Sequence, residues 1–593
     1  IFYMIQFFGI QSKTVFAVQT NSTLNQNTIS KLSWLFSDMP LIQKEIINGD
    51  YIGPKANMLT PWSTNAVEIL QNMGVYDIIR IEKYFLTNKK IVFDPMLQEK
   101  FTKLDQNIFK LKKKPEPILK IRNISEFNKK EGLALNKDEV EYLENLATIL
   151  KRKLTDSEVF GFSQVNSEHC RHKIFNGEFI IDRLSKKESL FNLIKNTSKK
   201  NPNEIVSAYK DNVAFIKGPE IEQFAPSKGD KPSIYKKTYI KSVISLKAET
   251  HNFPTTVEPF NGAATGSGGE IRDRLAGGQG SIPLAGTAVY MTPYSRVSEN
   301  RPWEKKFHER VWRYQTPLNI LIKASNGASD FGNKFGQPLI AGSLFTFEHQ
   351  ENKHKIGYDK VIMQAGGIGF ANALHAKKHT PKKGDIIIIL GGDNYRIGMG
   401  GAAVSSANTG AFETGIELNA IQRSNPEMQK RVANAIRSLC EQSKNPIISI
   451  HDHGAGGHLN CLSELVEDTG GEIFLNKLPI GDPTLSDKEI IGNESQERMG
   501  LIVAPKDVKL LRDICKRERA PIYLVGEVTG DEHFTFANKI TDQKPIDLEL
   551  KSLFGSSPKT KMYDKTIKNE YDKVNLKKDP IVSLQKILML EGV

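Results

Sequence analysis

KAETHNFPTTVEPFNGAATGSGGEIRD, residues 247–273, sets Lys247, Glu249 and His251 at alternate positions, then a run of glycines, then Arg272 and Asp273. Successive side chains of a strand point to opposite faces, so Lys247, Glu249 and His251 share one face and Leu246, Ala248 and Thr250 the other. The expectation is a buried apolar face and a presented charged one. The glycines that follow read as a loop whose backbone N–H groups can approach an anion. Three ionisable groups beside such a loop suit a phosphorylated ligand held with a metal ion. The plainer alternative is a solvated strand edge followed by a glycine-rich turn.

Working outward, 593 residues exceed what one hydrophobic core organises, so several domains are expected. The composition, 39% hydrophobic and 25% charged, is that of a globular protein. No stretch reaches the roughly 18 to 20 uninterrupted apolar residues that cross a bilayer, which makes a membrane partner unexpected. The opening IFYMIQFFGI lacks a basic leader and a small-residue cleavage pattern, so it reads as a first strand and the default location is cytoplasmic. Cys170, Cys440, Cys461 and Cys515 show no CxxC spacing, which disfavours a disulfide framework or a zinc site. None lies in a G-x-C-x-G elbow, so thiol catalysis is not expected. The net charge of +13 raises the question of nucleic acid. The lysines, however, gather in linker-like tracts (110–117, 196–204, 575–580) without interleaved aromatics, so no nucleic-acid partner is expected.

Along the chain, strand-like runs (4–8, 13–20, 78–87 and KIVFDP at 90–95) alternate with helical ones (27–38, 65–74), predicting a small α+β domain over 1–118. A helical linker over 119–180 follows, with a helix over 136–152 behind an Asn N-cap and another start at Thr155. Residues 205–375 read as α+β, with strands at 214–218 and near 338–347 and 365–371. KKGDIIIILGG opens a region over 383–550: a buried strand, a glycine loop (391–403), a helix around 425–442, the strand NPIISIHD, a second glycine loop and the helix LNCLSELVED. Strand, glycine loop and helix in repetition is α/β patterning. Residues 551–593 are Lys-rich before SLQKILMLEGV, a helix at which the architecture breaks off.

Three further clusters carry chemistry. NSEHCRHK (166–173) places His169 and His172 three apart, on one face of a helix. Without further ligands at zinc spacing, acid–base work or phosphate contact fits better than metal binding, the alternative being a helix-terminal histidine pair. In SIHDHGAGGHLN (449–460), Asp452 stands at the end of a buried strand before glycines and a helix start, where open α/β sheets bind ligands. It is the best carboxylate there for Mg2+, a hard cation that takes oxygen ligands. GNESQERMGLIVAP (492–505) offers Glu494, Ser495 and Gln496 before an apolar strand. No Walker loop occurs, and GMGGAA departs from G-x-G-x-x-G, so neither a P-loop nor a dinucleotide fold is supported.

In this order and spacing, SEHCRHK, KAETHNFP with GAATGSGGEIRD, HDHGAGG and NESQER resemble phosphoribosylformylglycinamidine synthase, the formylglycinamide ribonucleotide amidotransferase family of purine biosynthesis, in its large single-chain form. The resemblance implies a fold of α+β and α/β domains: the N-terminal domain, the linker, and the first half of a synthetase core like that of aminoimidazole ribonucleotide synthetase. It implies ATP-dependent conversion of the substrate's amide to an amidine with glutamine-derived ammonia, the amide oxygen being phosphorylated first, with ATP and Mg2+ as cofactors.

Residue by residue, it implies His169 and His251 as catalytic histidines and Glu249, Asp273 and Asp452 as magnesium ligands. ATP contacts would come from His172, Lys247 and the segment Gly262, Ala263, Ala264, Thr265, Gly266, Ser267, Gly268, Gly269, Glu270, Ile271, Arg272, Asp273. Thr250, His251, Asn252, Arg272, Gln422, Glu494, Ser495 and Gln496 fall at substrate positions. His172 stands where the small bacterial form has a Tyr, and Phe253 where it has a second His. The family's second synthetase half and its glutaminase domain are not in this chain, so the expectation is a fragment that folds without completing the reaction, its partners being the substrate and the rest of the enzyme. Another member of the superfamily, an aminoimidazole ribonucleotide synthetase or selenophosphate synthetase relative, is the alternative. SEHCRHK and the long N-terminal region speak against it.

Overall fold

The computed structural model describes residues 3–87, 93–111, 113–297, 301–351, 354–495, 497–555, 558–568 and 579–589. The chain divides into two compact units. The first comprises residues 1–117 with the short segments 393–396 and 480–486. Its six-stranded sheet runs in the order Leu41–Ile42, Met4–Ile10, Thr14–Thr20, Ile78–Leu86, Ile47–Pro54, Gln98–Leu104. Helices Gln26–Leu35 and Pro61–Asn72 start at Asn25 and Thr60, whose side-chain oxygens accept from the N–H groups of Thr28 and Ser63. Their apolar stripes pack with Phe8, Phe16, Val18 and Ile81, while Ile5, Phe7, Val15 and Ala17 serve a second core on the other side of the same strands. Of the expected strand KIVFDP, residues 90–92 lie outside the described residues, and Phe93 and Asp94 are not in a strand.

The second unit comprises residues 118–392, 397–479 and 487–593. It opens with helices Ile124–Glu131, Lys137–Ile149 and Asp156–Val165. The last two carry reciprocal capping boxes, Asn136 with Glu139 and Thr155 with Glu158, which is why both starts were legible. A six-stranded sheet follows in the order Leu339–Thr346, Ile282–Thr292, Ile362–Asn372, Tyr235–Thr250, Ala214–Pro226, Ile205–Ser207. Only the Ile282–Thr292/Leu339–Thr346 pair is parallel, and helix Pro317–Phe335 makes its crossover.

A seven-stranded sheet follows, ordered Ile447–Asp452, Arg498–Val503, Ile386–Gly391, Ile522–Val528, Gly471–Phe474, His533–Asn538, Gln543–Glu549. Its pairs are antiparallel except Gly471–Phe474 with His533–Asn538, so the repeated strand, glycine turn and helix produce a mixed sheet rather than a parallel one. Helices Pro426–Cys440 and Val508–Glu518 cover it. Their core is continuous with that of helices Pro259–Leu275 and Pro317–Phe335 through Ala264, Ile271, Phe331, Ile388, Val432, Ile436 and Leu501. The helix expected near the end of the chain spans Pro580–Ile587, and residues 590–593 lie outside the described residues.

Candidate functional site

The segment 259–275 is one helix, and this corrects the reading of GAATGSGG as a phosphate-approaching loop. Its glycines serve close packing instead. A Cβ on Gly262 would stand 2.4 Å from the Pro254 carbonyl carbon, one on Gly266 3.0 Å from the His251 Cβ, one on Gly269 2.8 Å from Glu249 Oε1, and one on Gly268 2.7 Å from the Phe331 ring. Gly262, Gly266, Gly269 and Asp273 recur at helical spacing on one face, and that face meets His251, Glu249 and Lys247 in turn. The steps match: two strand residues advance about 6.6 Å and four helix residues about 6 Å.

The expected burial is therefore inverted. Lys247 and Glu249 lie half-buried against the helix, while Ala248 and Thr250 on the other face are exposed. Helix–strand contact, which sequence alternation does not encode, decides which face is covered.

Where the strand end meets the helix end, Lys247 Nζ lies 2.8 Å from Asp273 Oδ2 and 3.5 Å from Glu249 Oε2. Asp452, the last residue of its strand, is drawn in by Asn212, whose Nδ2 donates to Asp273 Oδ1 and to Asp452 Oδ1, each at 2.8 Å. Asp211 beside it accepts from Gly278 N–H at 2.6 Å and pairs with Lys378 at 2.6 Å, fixing the loop. Sequence reading passed over Asn212; the only signal was a polar Asp-Asn pair just ahead of a strand. Burial, then the other two carboxylates, push Glu249 up, and burial with the Asp273 charge pushes Asp452 up. Burial raises Asp273 too, but the Lys247 ammonium outweighs it and holds the carboxyl below its ordinary value.

His251 Nδ1 sits 2.6 Å from the Gly262 carbonyl oxygen. A carbonyl only accepts, so Nδ1 carries the proton and Nε2 keeps the lone pair. Burial pulls this imidazole down to about 4, so it is neutral near pH 7. His169 lies in the short helix Glu168–Arg171, started by Ser167 Oγ accepting from Cys170 N–H. It opens onto the same cavity, and crowding by protein, His172 and Lys247 lowers it below the usual imidazole range. His172 caps that helix in the left-handed conformation (φ 48°), so the two histidines do not share one helical face. Its ring stacks on Phe191.

A cavity of about 1090 Å3 is lined by the carboxylates, Lys247, Asn212, His169, His172 and His251. Of residues 262–273, Thr265, Gly269, Arg272 and Asp273 reach it; Gly262, Ala263, Ala264, Gly266, Ser267, Gly268, Glu270 and Ile271 do not. Glu270 is occupied by Arg274 Nε at 2.8 Å and Gln337 Nε2 at 2.8 Å. Arg272 is buried, its Nη1 donating to Gln429 Oε1 at 2.9 Å. Thr250, Asn252 and Gln422 line the cavity. Glu494 lines it too, but its Oε1 accepts from the N–H groups of Ala402 and Gly456, both at 3.0 Å, tying the two glycine turns together. Gly456 and Gly457 adopt positive φ there, and a Cβ on Gly457 would stand 2.4 Å from the Asn493 oxygen. Ser495 is buried outside the lining, and Gln496 lies outside the described residues.

Burial raises Glu494 to about 7. A carboxyl whose folded pKa exceeds its unfolded value loses stability as pH rises, here between about 4.5 and about 7. Glu494→Gln removes the ionisation and keeps the Oε1 acceptor. Melting curves of the variant should therefore fall less steeply with pH than those of the parent over that window. Equal slopes would mean that Glu494 ionises alike in the folded and unfolded chain.

Residues 13–109 match the formylglycinamide ribonucleotide amidotransferase N-terminal family, residues 124–173 the linker domain of the same enzyme, and residues 382–538 the AIR synthase related protein C-terminal domain. The N-terminal region and the linker of this chain thus match one family, formylglycinamide ribonucleotide amidotransferase. Among solved structures, Thermotoga maritima PurL complexed with FGAR is 22% identical with a TM-score of 0.50, the match covering 74% of this chain and 58% of that one. The same protein complexed with ATP is 21% identical with a TM-score of 0.48, over 77% and 61%. The chain thus spans about three fifths of the length of these solved relatives. The first of the two shows the shared fold. Among the described residues, no helix is long and apolar enough to cross a membrane.

Proposed function

We propose that this chain is the N-terminal part of a large-form phosphoribosylformylglycinamidine synthase, and that its cavity activates the amide of formylglycinamide ribonucleotide by ATP-dependent phosphorylation. The observation that carries the reading is the meeting of Lys247, Glu249, Asp273 and Asp452 beside a neutral His251 in one cavity.

An amide oxygen leaves poorly. Transfer of a phosphoryl group from ATP to that oxygen forms a P–O bond and releases ADP; ammonia then attacks the carbon, phosphate departs, and the nitrogen sheds its proton to give the amidine. His251 Nε2, with its lone pair fixed by the Gly262 bond, is placed to accept a proton. Lys247 supplies positive charge to the nucleotide phosphates, and Arg272 and Asn252 orient the substrate. Among the described residues no three acidic, imidazole or thiol groups by themselves form a metal cage. Two carboxylates drawn together by Asn212, with Glu249 beside them, suit Mg2+, which takes one or two carboxylates and completes its shell with phosphates and water. Bound there, the ion would neutralise charge on the transferring phosphoryl group.

The remaining synthetase half and a glutaminase would be supplied by the rest of the enzyme, in the cytoplasm, where the four free thiols stay reduced. The test follows the substrate's oxygen. In the complete enzyme, 18O placed in the amide should leave in phosphate; label appearing in water would overturn amide activation.

A further inference from the structure

We infer that Lys360, with the Ser405 and Ser406 hydroxyls, forms the subsite that takes the ribonucleotide's terminal phosphate; this rests on the function proposed above. A phosphate monoester approaching the cavity brings close to two negative charges near neutral pH and needs a cation that is not already neutralised. Of the lysines and arginine in the cavity wall, Lys210 is solvent-exposed, where pairing with an anion gains little, and three others are already engaged. Lys247 is held by Asp273 and Glu249, and Lys378 by Asp211. Arg272 is held by Gln429 and lies close enough to Glu249 and Glu497 to feel both charges.

Lys360 is half-buried, and its Nζ donates to two backbone carbonyl oxygens, of Ser405 at 2.9 Å and Ala407 at 3.2 Å. Among the described residues no carboxylate forms an ion pair with it; Glu417 is near enough for its charge to be felt, but that carboxylate is bonded by Tyr314 Oη and Gly410 N–H. Two carbonyl dipoles orient the ammonium without cancelling its charge, and burial accordingly lowers its pKa. An ammonium so placed gains by meeting an anion.

The surroundings fit that anion. Val361 N–H donates to Thr256 Oγ1 at 3.1 Å, fixing the backbone next to Lys360. The Phe253 ring centroid lies 5.8 Å from Nζ and walls one side. Ser405 and Ser406 line the cavity beside it, and their hydroxyls now donate to the Ala402 carbonyl at 3.3 and 2.7 Å. Each hydroxyl can turn to a phosphate oxygen, since a hydroxyl proton rotates freely. Gln422 and Asn252, on the same cavity wall, would meet the rest of the ligand. Lys360 and Lys247 have different partners, so substrate phosphate and nucleotide phosphates would not compete for one cation.

The experiment titrates the 593-residue chain calorimetrically with formylglycinamide ribonucleotide and with the matching ribonucleoside, which lacks the phosphate. The parent should bind the nucleotide about 10- to 100-fold more tightly, the range for charge-assisted hydrogen bonds. Lys360→Gln should erase that preference while leaving MgATP affinity within about twofold, and Lys360→Arg should restore part of it. Melting curves establish that each variant is folded. A folded Lys360→Gln that still prefers the nucleotide overturns this inference alone. A parent that binds neither ligand overturns the proposed function and this inference with it.

Discussion

Replacing Gly262 by alanine is expected to cost about 3 kcal/mol or more of stability, enough to leave little folded protein at 37 °C. The new methyl would lie 2.4 Å from both the Pro254 carbonyl carbon and the Thr255 nitrogen, and backbone cannot yield as a side chain can. Gly327→Ala should behave alike, its Cβ falling 2.0 Å from the Phe260 oxygen where helix Pro317–Phe335 crosses the glycine helix. Gly269→Ala is the contrast. Its methyl would crowd Glu249 Oε1, at 2.8 Å, a side-chain end able to move, with Arg272 Nη2 at an ordinary 3.7 Å, and alanine favours a helix over glycine by about 1 kcal/mol. That variant should fold and lose ligand affinity. Thermal melts with nucleotide titrations separate the cases. A Gly262→Ala protein that melts like the parent and fails only in binding would return these glycines to the role of a phosphate loop.

The second large effect concerns His251. In the complete enzyme, His251→Ala should lower kcat by about 10^2- to 10^4-fold, the span for loss of a general base, with KM for both substrates changed little. The ring touches Gly266 and bonds Gly262, so its removal also loosens the strand from the helix. His251→Gln, which can still donate to the Gly262 oxygen, should recover stability without recovering rate. A loss below tenfold would remove His251 from proton transfer.

Much of this was legible in the residues. Capping boxes at Asn136 and Thr155, the alternation in 4–20 and the apolar run at 386–390 are local signals, and the helices and strands stand there. Asp452 at a strand end was legible for the same reason, though the sheet that carries it is mixed. The glycine helix was not. Glycine lowers helix propensity by about 1 kcal/mol per residue, and only the packing of Phe331, Glu249 and His251 against the bare backbone overrides it. Asn212 escaped because its role depends on two carboxylates 61 and 240 residues away.

The account turns on whether the cavity beside Lys247 holds the phosphoryl donor. Calorimetric titration of the 593-residue chain with ATP and Mg2+ tests this most directly, in the parent and in Lys247→Met and Asp452→Asn. Removing the ammonium leaves Asp273 and Glu249 unpaired, a change worth a few kcal/mol for a buried pair. The account predicts saturable one-to-one binding in the parent, weakened at least about 30-fold by either substitution in protein that still melts cooperatively. Binding undiminished in both folded variants would contradict it.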